Sequence, residues 1–209
     1  MKRILVLVVL CIACQKREPL KRMNCAVCAD VCSLDPRLGY DTQSVNVIRS
    51  LFDGLMRFNE KGEVVPAVAE RVVVSEDAMH YTFYLRESKW SNGDEVTAED
   101  FEYAWKKEVT PEYVTQSSFL FHILKNGQAC ALGQKPLDEL GVKALDKRTL
   151  EVELDHPLPY FLKLTTVTPF NPIPKKVVEK DEKWATRLDS SFVSNGPFIL
   201  EERRYGDQI

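Results

Sequence analysis

KWSNGDEVTAEDF, residues 89–101, sets the local fold by its punctuation. Asn92-Gly93 takes positive φ readily and predicts a two-residue hairpin loop, closing a strand that ends near Trp90. Thr97 and, three positions on, Asp100 have capping-box spacing, with Asp in place of Glu or Gln, so a helix starts near Thr97. Phe101, Ala104 and Trp105 follow at helical spacing and give that helix one apolar face. By itself this stretch predicts a fold fragment and no function.

The same periodicities extend outward. Tyr81, Phe83 and Leu85 alternate with Thr82, Tyr84 and Arg86, the pattern of a half-buried strand whose outer tyrosine indicates partial cover on both faces. Val45, Ile48, Phe52 and Leu55 step by three and four residues and predict a helix from Ser44 that stops at Asp53-Gly54. Asn59 to Gly62 reads as a turn between two short extended pieces, and residues 23–35 as an irregular strand ending at SLDP. Downstream, LDELGVKALDKRTLEVEL predicts a short helix and two strands joined at Asp146-Lys147-Arg148. There Leu150, Val152 and Leu154 face inward while Glu151 and Glu153 face water. Pro159 suits the first turn of a short helix, Tyr160 to Leu164. TPFNPIPKK reads as an extended segment crossing between two structural units, and SNGPFIL as a turn into a strand.

The composition is that of a globular protein, 44% hydrophobic and 28% charged over 209 residues. A net charge of -3 and the lack of a basic stripe beyond Lys16 to Arg22 exclude an ordinary nucleic-acid binder, which needs cations for phosphates. Lys2 and Arg3 precede an unbroken apolar run, Ile4 to Ala13, that is too short to span a bilayer and suits a signal-peptide core, residues 1–13. Cys11-Ile12-Ala13-Cys14 resembles a bacterial lipobox, with Cys11 where such signals usually carry Leu. Lipidation is therefore expected at Cys14, with residues 14–22 as a polar tether.

Cys25, Cys28 and Cys32 lie in CAVCADVC, a spacing that invites a metal or redox reading. A structural zinc needs four ligands, and besides the lipidated Cys14 the only other cysteine of the mature chain is Cys130, while His80, His122 and His156 stand isolated. No metal and no cofactor is expected. In an oxidising compartment one disulfide among these cysteines is expected. Neither GxGxxG nor GxxxxGK[ST] occurs, nor GxSxG nor HExxH, so no enzyme is predicted. The pair Glu99-Asp100 sits at a helix start, where the helix dipole accounts for it.

Taken in order, SLDP, the segment through YTFYLRES and the opening stretch to EYAWKK, then LGVKALDKRTLEVELDHPLPYFLKL, Pro174-Lys175, EKW and NGPF resemble the oligopeptide/dipeptide solute-binding proteins of bacterial ABC importers. The resemblance covers nearly all of residues 33–209. It implies a mixed α/β fold of the type II periplasmic-binding-protein kind: residues 23–52 and 174–209 as part of lobe I, and 53–173 as its small subdomain. Family members are much longer, so the second lobe, and the acidic residue that meets a peptide's α-amino group there, are absent from this stretch. The resemblance therefore implies a truncated form with impaired binding, or a second chain that supplies the missing lobe. It implies oligopeptides as ligands, a membrane permease and its ATPase subunits as partners, and a place outside the inner membrane.

By that resemblance Tyr40, Asp41 and Thr42 lie along bound peptide, the competing reading being an exposed turn before a helix. Ser117 falls in the region where the family sets an aromatic beside the ligand, and Phe119, two residues on, is expected in the core. The alternative function is a membrane-tethered structural lipoprotein without transport activity.

Overall fold

The computed structural model describes residues 29–186 and 191–202. The expected signal peptide, Cys14, its tether, Cys25 and Cys28 lie outside the described residues. An antiparallel four-stranded sheet runs in the order β3 (Ala69–Val74), β4 (His80–Leu85), β6 (Thr149–Glu153), β5 (Val142–Asp146). Register pairs Tyr81 with Val152 and Phe83 with Leu150, so the alternating apolar residues of both strands share one face. Tyr81, Phe83, Leu150 and Val152 are buried there, and the Phe161 ring packs 4.7 Å from Tyr81. On the other face Arg71 stacks 3.7 Å above the ring of Tyr84, the expected partial cover. A smaller hairpin pairs β1 (Met56–Phe58) with β2 (Val64–Pro66) around the predicted Asn59–Gly62 turn.

Helix α2 (Ala98–Glu108) starts where the sequence places it and lies on β5 and β6. Asp100 takes the Thr97 backbone N–H at 2.8 Å, as a capping box requires. Glu102 reaches the sheet and accepts the Ala144 N–H at 2.9 Å. Phe101, Ala104 and Trp105 are fully buried, and the Trp105 indole N–H donates to the Phe170 carbonyl at 3.1 Å.

The hairpin ahead of α2 differs from the two-residue expectation. Trp90 donates to the Asp94 carbonyl and Gly93 to that of Trp90, at 2.8 and 2.9 Å, which encloses three residues, Ser91 to Gly93. Gly93 alone takes positive φ, +92°, while Asn92 stays in the ordinary region and accepts the Asp94 N–H on its side chain. This is a type I turn with a left-handed glycine behind it, the usual three-residue solution.

Helix α1 spans Thr42–Leu51, starting earlier and ending earlier than predicted. Its last carbonyls are occupied by the returning chain: Gly196 donates to Leu51 and Phe198 to Ser50, at 2.8 and 3.2 Å. A side chain at Gly196 would meet the backbone of Leu51 and Phe52 at 2.5–2.7 Å, so only glycine permits that approach. Phe52 turns extended and enters an aromatic cluster with Trp90, Trp184 and Phe192, centroids 6.4, 6.2 and 5.9 Å away.

Three other segments depart from expectation. Residues 29–35 form no strand, because the Cys32 and Ser33 N–H groups turn to the Ser44 hydroxyl instead of a ladder. TPFNPIP is buried from Thr168 to Pro174 and opens with a 3₁₀ turn, Thr168–Phe170; its phenylalanine stacks 4.4 Å from Phe121. Residues 194–198 bond to the hairpin and to the end of α1, and residues 192–202 form no strand. Cys130 is a buried free thiol and takes no part in the expected disulfide. Helix α3 (Gly127–Ala131) holds it, and its Sγ–H meets the Pro136 carbonyl at 3.4 Å.

Candidate functional site

The turn Ser33–Gly39 is built around one carboxylate. Asp35 accepts the Arg37 N–H at 2.9 Å and its guanidinium at 2.9 and 2.6 Å, and both side chains are buried. The Asp35 carbonyl takes the Leu38 and Gly39 N–H groups, each at 3.0 Å, so the chain reverses and delivers Tyr40 to the surface. Tyr40 is 59% exposed.

Asp41 is the N-cap of α1. It accepts the Ser44 N–H at 2.8 Å and the Ser44 hydroxyl, while Ser44 Oγ receives Cys32 N–H at 3.0 Å. Burial works to raise the Asp41 carboxyl, but the Ser44 hydrogen bonds outweigh it and hold it below the usual carboxylate range. Both Asp41 carboxylate oxygens thus accept from Ser44 at the helix start, and Tyr40 and Thr42 are exposed beside it.

The guanidinium of Arg37 sits 5.0 Å over the ring of Tyr113, in the loop that follows α2. Beneath that loop Glu108, the last residue of α2, is 1% exposed. Its Oε2 accepts the Thr115 hydroxyl at 2.6 Å and that of Ser118 at 3.2 Å. The Ser118 hydroxyl takes the Thr115 N–H at 2.9 Å, and the Thr115 hydroxyl takes the Ser117 N–H at 3.1 Å. Burial pushes the Glu108 carboxyl up to about 7, opposed in part by Thr115 and Arg37; burial likewise raises Tyr113. Glu108 Oε1 and the Tyr113 hydroxyl are buried and without a hydrogen-bond partner.

Ser117 is half-buried and opens into a 3₁₀ turn, Ser118–Ile123. With three residues per turn, Ser118, Phe121 and Leu124 share the inner side, and Phe119 is turned outward, 64% exposed rather than in the core. Val114, 81% exposed, stands on the same loop. The two predicted segments, Tyr40–Thr42 and Ser117, are fastened to one another through Arg37, Tyr113 and Glu108. Sequence reasoning passed over these three and Thr115 and Ser118. A signal for Glu108 was present: it continues the series Phe101, Ala104, Trp105 by one step, placing an acid in an apolar slot.

An open depression of about 480 Å³ lies elsewhere, lined by Asn92, Asp94, Lys176, Lys180, Trp184 and Val193 among others, and none of the predicted site residues borders it. Among the described residues no group of three or more His, Cys, Asp or Glu is placed to hold a metal ion.

Residues 63–209 match the family model described as bacterial extracellular solute-binding proteins, family 5 Middle. The chain is 40% identical over 188 residues to the oligopeptide-binding protein OppA of Bacillus subtilis, covering 90% of this chain and 34% of that protein. With the dipeptide-binding protein DppE of the same organism it shares 41% identity over 178 residues, 85% of this chain and 33% of that one. Among solved structures, the murein tripeptide binding protein MppA of Escherichia coli superimposes with a TM-score of 0.80 at 39% identity, covering 85% of this chain and 35% of that chain. OppA of Listeria monocytogenes, bound to peptide, gives 0.77 at 35% identity, over 86% and 38%. The chain spans about a third of the length of these relatives.

Proposed function

Because the chain belongs to the bacterial extracellular solute-binding proteins of family 5, we propose that it is a peptide-binding component of an ABC importer. It is exported and held by a lipid on Cys14 at the outer face of the membrane, where it captures oligopeptides for a permease driven by ATPase subunits. Peptide lies against the face that carries Tyr40, Thr42, Ser117 and Phe119, with Asp41 shaping that face from its helix cap rather than touching ligand. Main-chain hydrogen bonds and tolerant side-chain pockets suit such a ligand, whose sequence varies while its backbone does not. The role is binding and presentation; no chemistry on the peptide is assigned to these residues.

The observation that supports this reading is the exposure of Tyr40 and Phe119, at 59% and 64%, on two segments joined beneath by buried side chains. Exposed aromatics on a rigid base bind at low entropic cost. A pentapeptide carrying a benzophenone side chain tests it on the 209-residue protein. Photolabelling is expected within residues 38–42 and 111–119; label confined to other surfaces rejects the face. Export and anchoring are tested by labelled palmitate, which is incorporated in the native protein and lost in Cys14→Ala.

A further inference from the structure

We propose that Glu108 is a positioning residue that works in its protonated form, pinning the loop 111–118 to the end of α2 beside the Asp35–Arg37 turn, and that its ionisation releases the loop. Two buried atoms without partners carry this. Oε2 receives both hydroxyls, from Thr115 and Ser118, and is therefore the acceptor oxygen. Oε1 has no donor facing it. A neutral carboxyl keeps both hydroxyls on its carbonyl Oε2 and leaves only its own O–H on Oε1 without an acceptor, whereas an ionised one leaves half a negative charge unpaired on Oε1, the costlier state.

The surrounding charges do not offset it. From the turn come Asp35 and Arg37, and Arg37 is already engaged three times by Asp35, through its N–H and its guanidinium. From the loop comes Tyr113, whose hydroxyl is also unpartnered and cannot ionise cheaply beside Asp35 and Glu108. Beyond it stands Glu182, ion-paired with Lys107 of α2 at 3.4 Å. One cation thus faces two acids when Glu108 ionises, and one when it does not.

Apart from Arg37 over the Tyr113 ring and the Tyr113 N–H on the Thr110 carbonyl at 2.9 Å, hydroxyls hold the loop. Thr115 and Ser117 spend their N–H groups on side-chain hydroxyls that in turn depend on Glu108. Water reaching Oε1 must open that arrangement, and with it the position of Ser117 and Phe119. The consequence for binding rests on the proposed peptide face; the pin itself does not.

Hydrogen exchange of the Thr115 and Ser117 amides on the full chain tests the pin without ligand. After correction for intrinsic rates, protection is expected to fall about tenfold from pH 6 to 8 in the native protein, the ratio a group titrating near 7 imposes, and to stay level in Glu108→Gln. Parallel profiles in the two proteins overturn the proposal. Should the variant not fold, the native Glu108 carboxyl followed by carbon NMR decides: a midpoint near 7 supports it, and one in the ordinary range of about 4–5 overturns it. Photolabelling by an acetylated, uncharged peptide should decline over the same pH range. If no peptide labels this face while exchange behaves as expected, the binding face is wrong and the pin stands; if exchange is level, the pin falls whatever peptide does.

Discussion

At Asp100 four donors converge on one buried carboxylate. Oδ2 takes the Thr97 N–H and hydroxyl and the Trp90 indole, at 2.8, 3.2 and 3.2 Å, and Oδ1 takes the Lys175 N–H at 3.1 Å. The residue therefore does more than cap: it ties hairpin, helix and the segment at Lys175 together. Burial raises the Asp100 carboxyl against those hydrogen bonds, yet every partner is a donor. An amide there turns its NH₂ toward a donor. Asp100→Asn is expected to cost ~1–2 kcal/mol and Asp100→Ala ~2–4 kcal/mol, the latter leaving buried donors unpaired. Urea unfolding measures both, and an Asn variant as stable as the native protein contradicts the donor count.

Glu108 gives the residue-scale pH prediction. Its folded value near 7 lies above the unfolded carboxyl, so the folded chain holds the proton more tightly. Stability from this group is full below the unfolded value and is lost as pH rises through about 7, by at most ~3 kcal/mol. Urea midpoints should be higher at pH 5 than at pH 8, with the difference shrinking in Glu108→Gln; a native protein more stable at pH 8 reverses the sign and refutes it.

Elements with a period were legible, and elements without one were not. Strands β4 and β6 show their buried face as alternation, and α2 shows its own by three- and four-residue steps, because each needs only one apolar partner face. Thr168–Pro174 and residues 192–195 carry no period. Their burial follows from single long-range contacts such as Trp105 to the Phe170 carbonyl, and Asn195 to the Asp53 backbone at 2.9 and 3.2 Å. Tyr40 could be placed by sequence order, but the Arg37–Tyr113 contact depends on two loops meeting.

The hairpin shows the limit within an element. Asn-Gly signals a turn but does not fix loop length, and here only Gly93 needs the left-handed region. Gly93→Ala is expected to lower stability by ~1 kcal/mol, and Asn92→Ala by less than ~0.5 kcal/mol. Thermal melts that rank Asn92 as the more sensitive position would restore the two-residue loop.

At the scale of the molecule, the clusters around Phe52 and around Trp105 belong to one continuous core, and the proposed peptide face carries Tyr40 and Phe119. A rigid wall on one side of a peptide still leaves the other side in water. Association costs several kcal/mol of translational and rotational freedom before any contact counts, and a surplus arises only when enough surface is enclosed. The face proposed here is one such wall. Calorimetry with tri- to pentapeptides on the monomeric 209-residue protein should therefore show binding weaker than micromolar. Tyr40→Ala and Phe119→Ala should each reduce photolabelling several-fold while leaving melting within about 1 °C, because both rings are mostly in solvent and carry little of the fold. Micromolar affinity for the monomer would mean that this face encloses peptide alone, and the exposed rings would then be its walls rather than its rim.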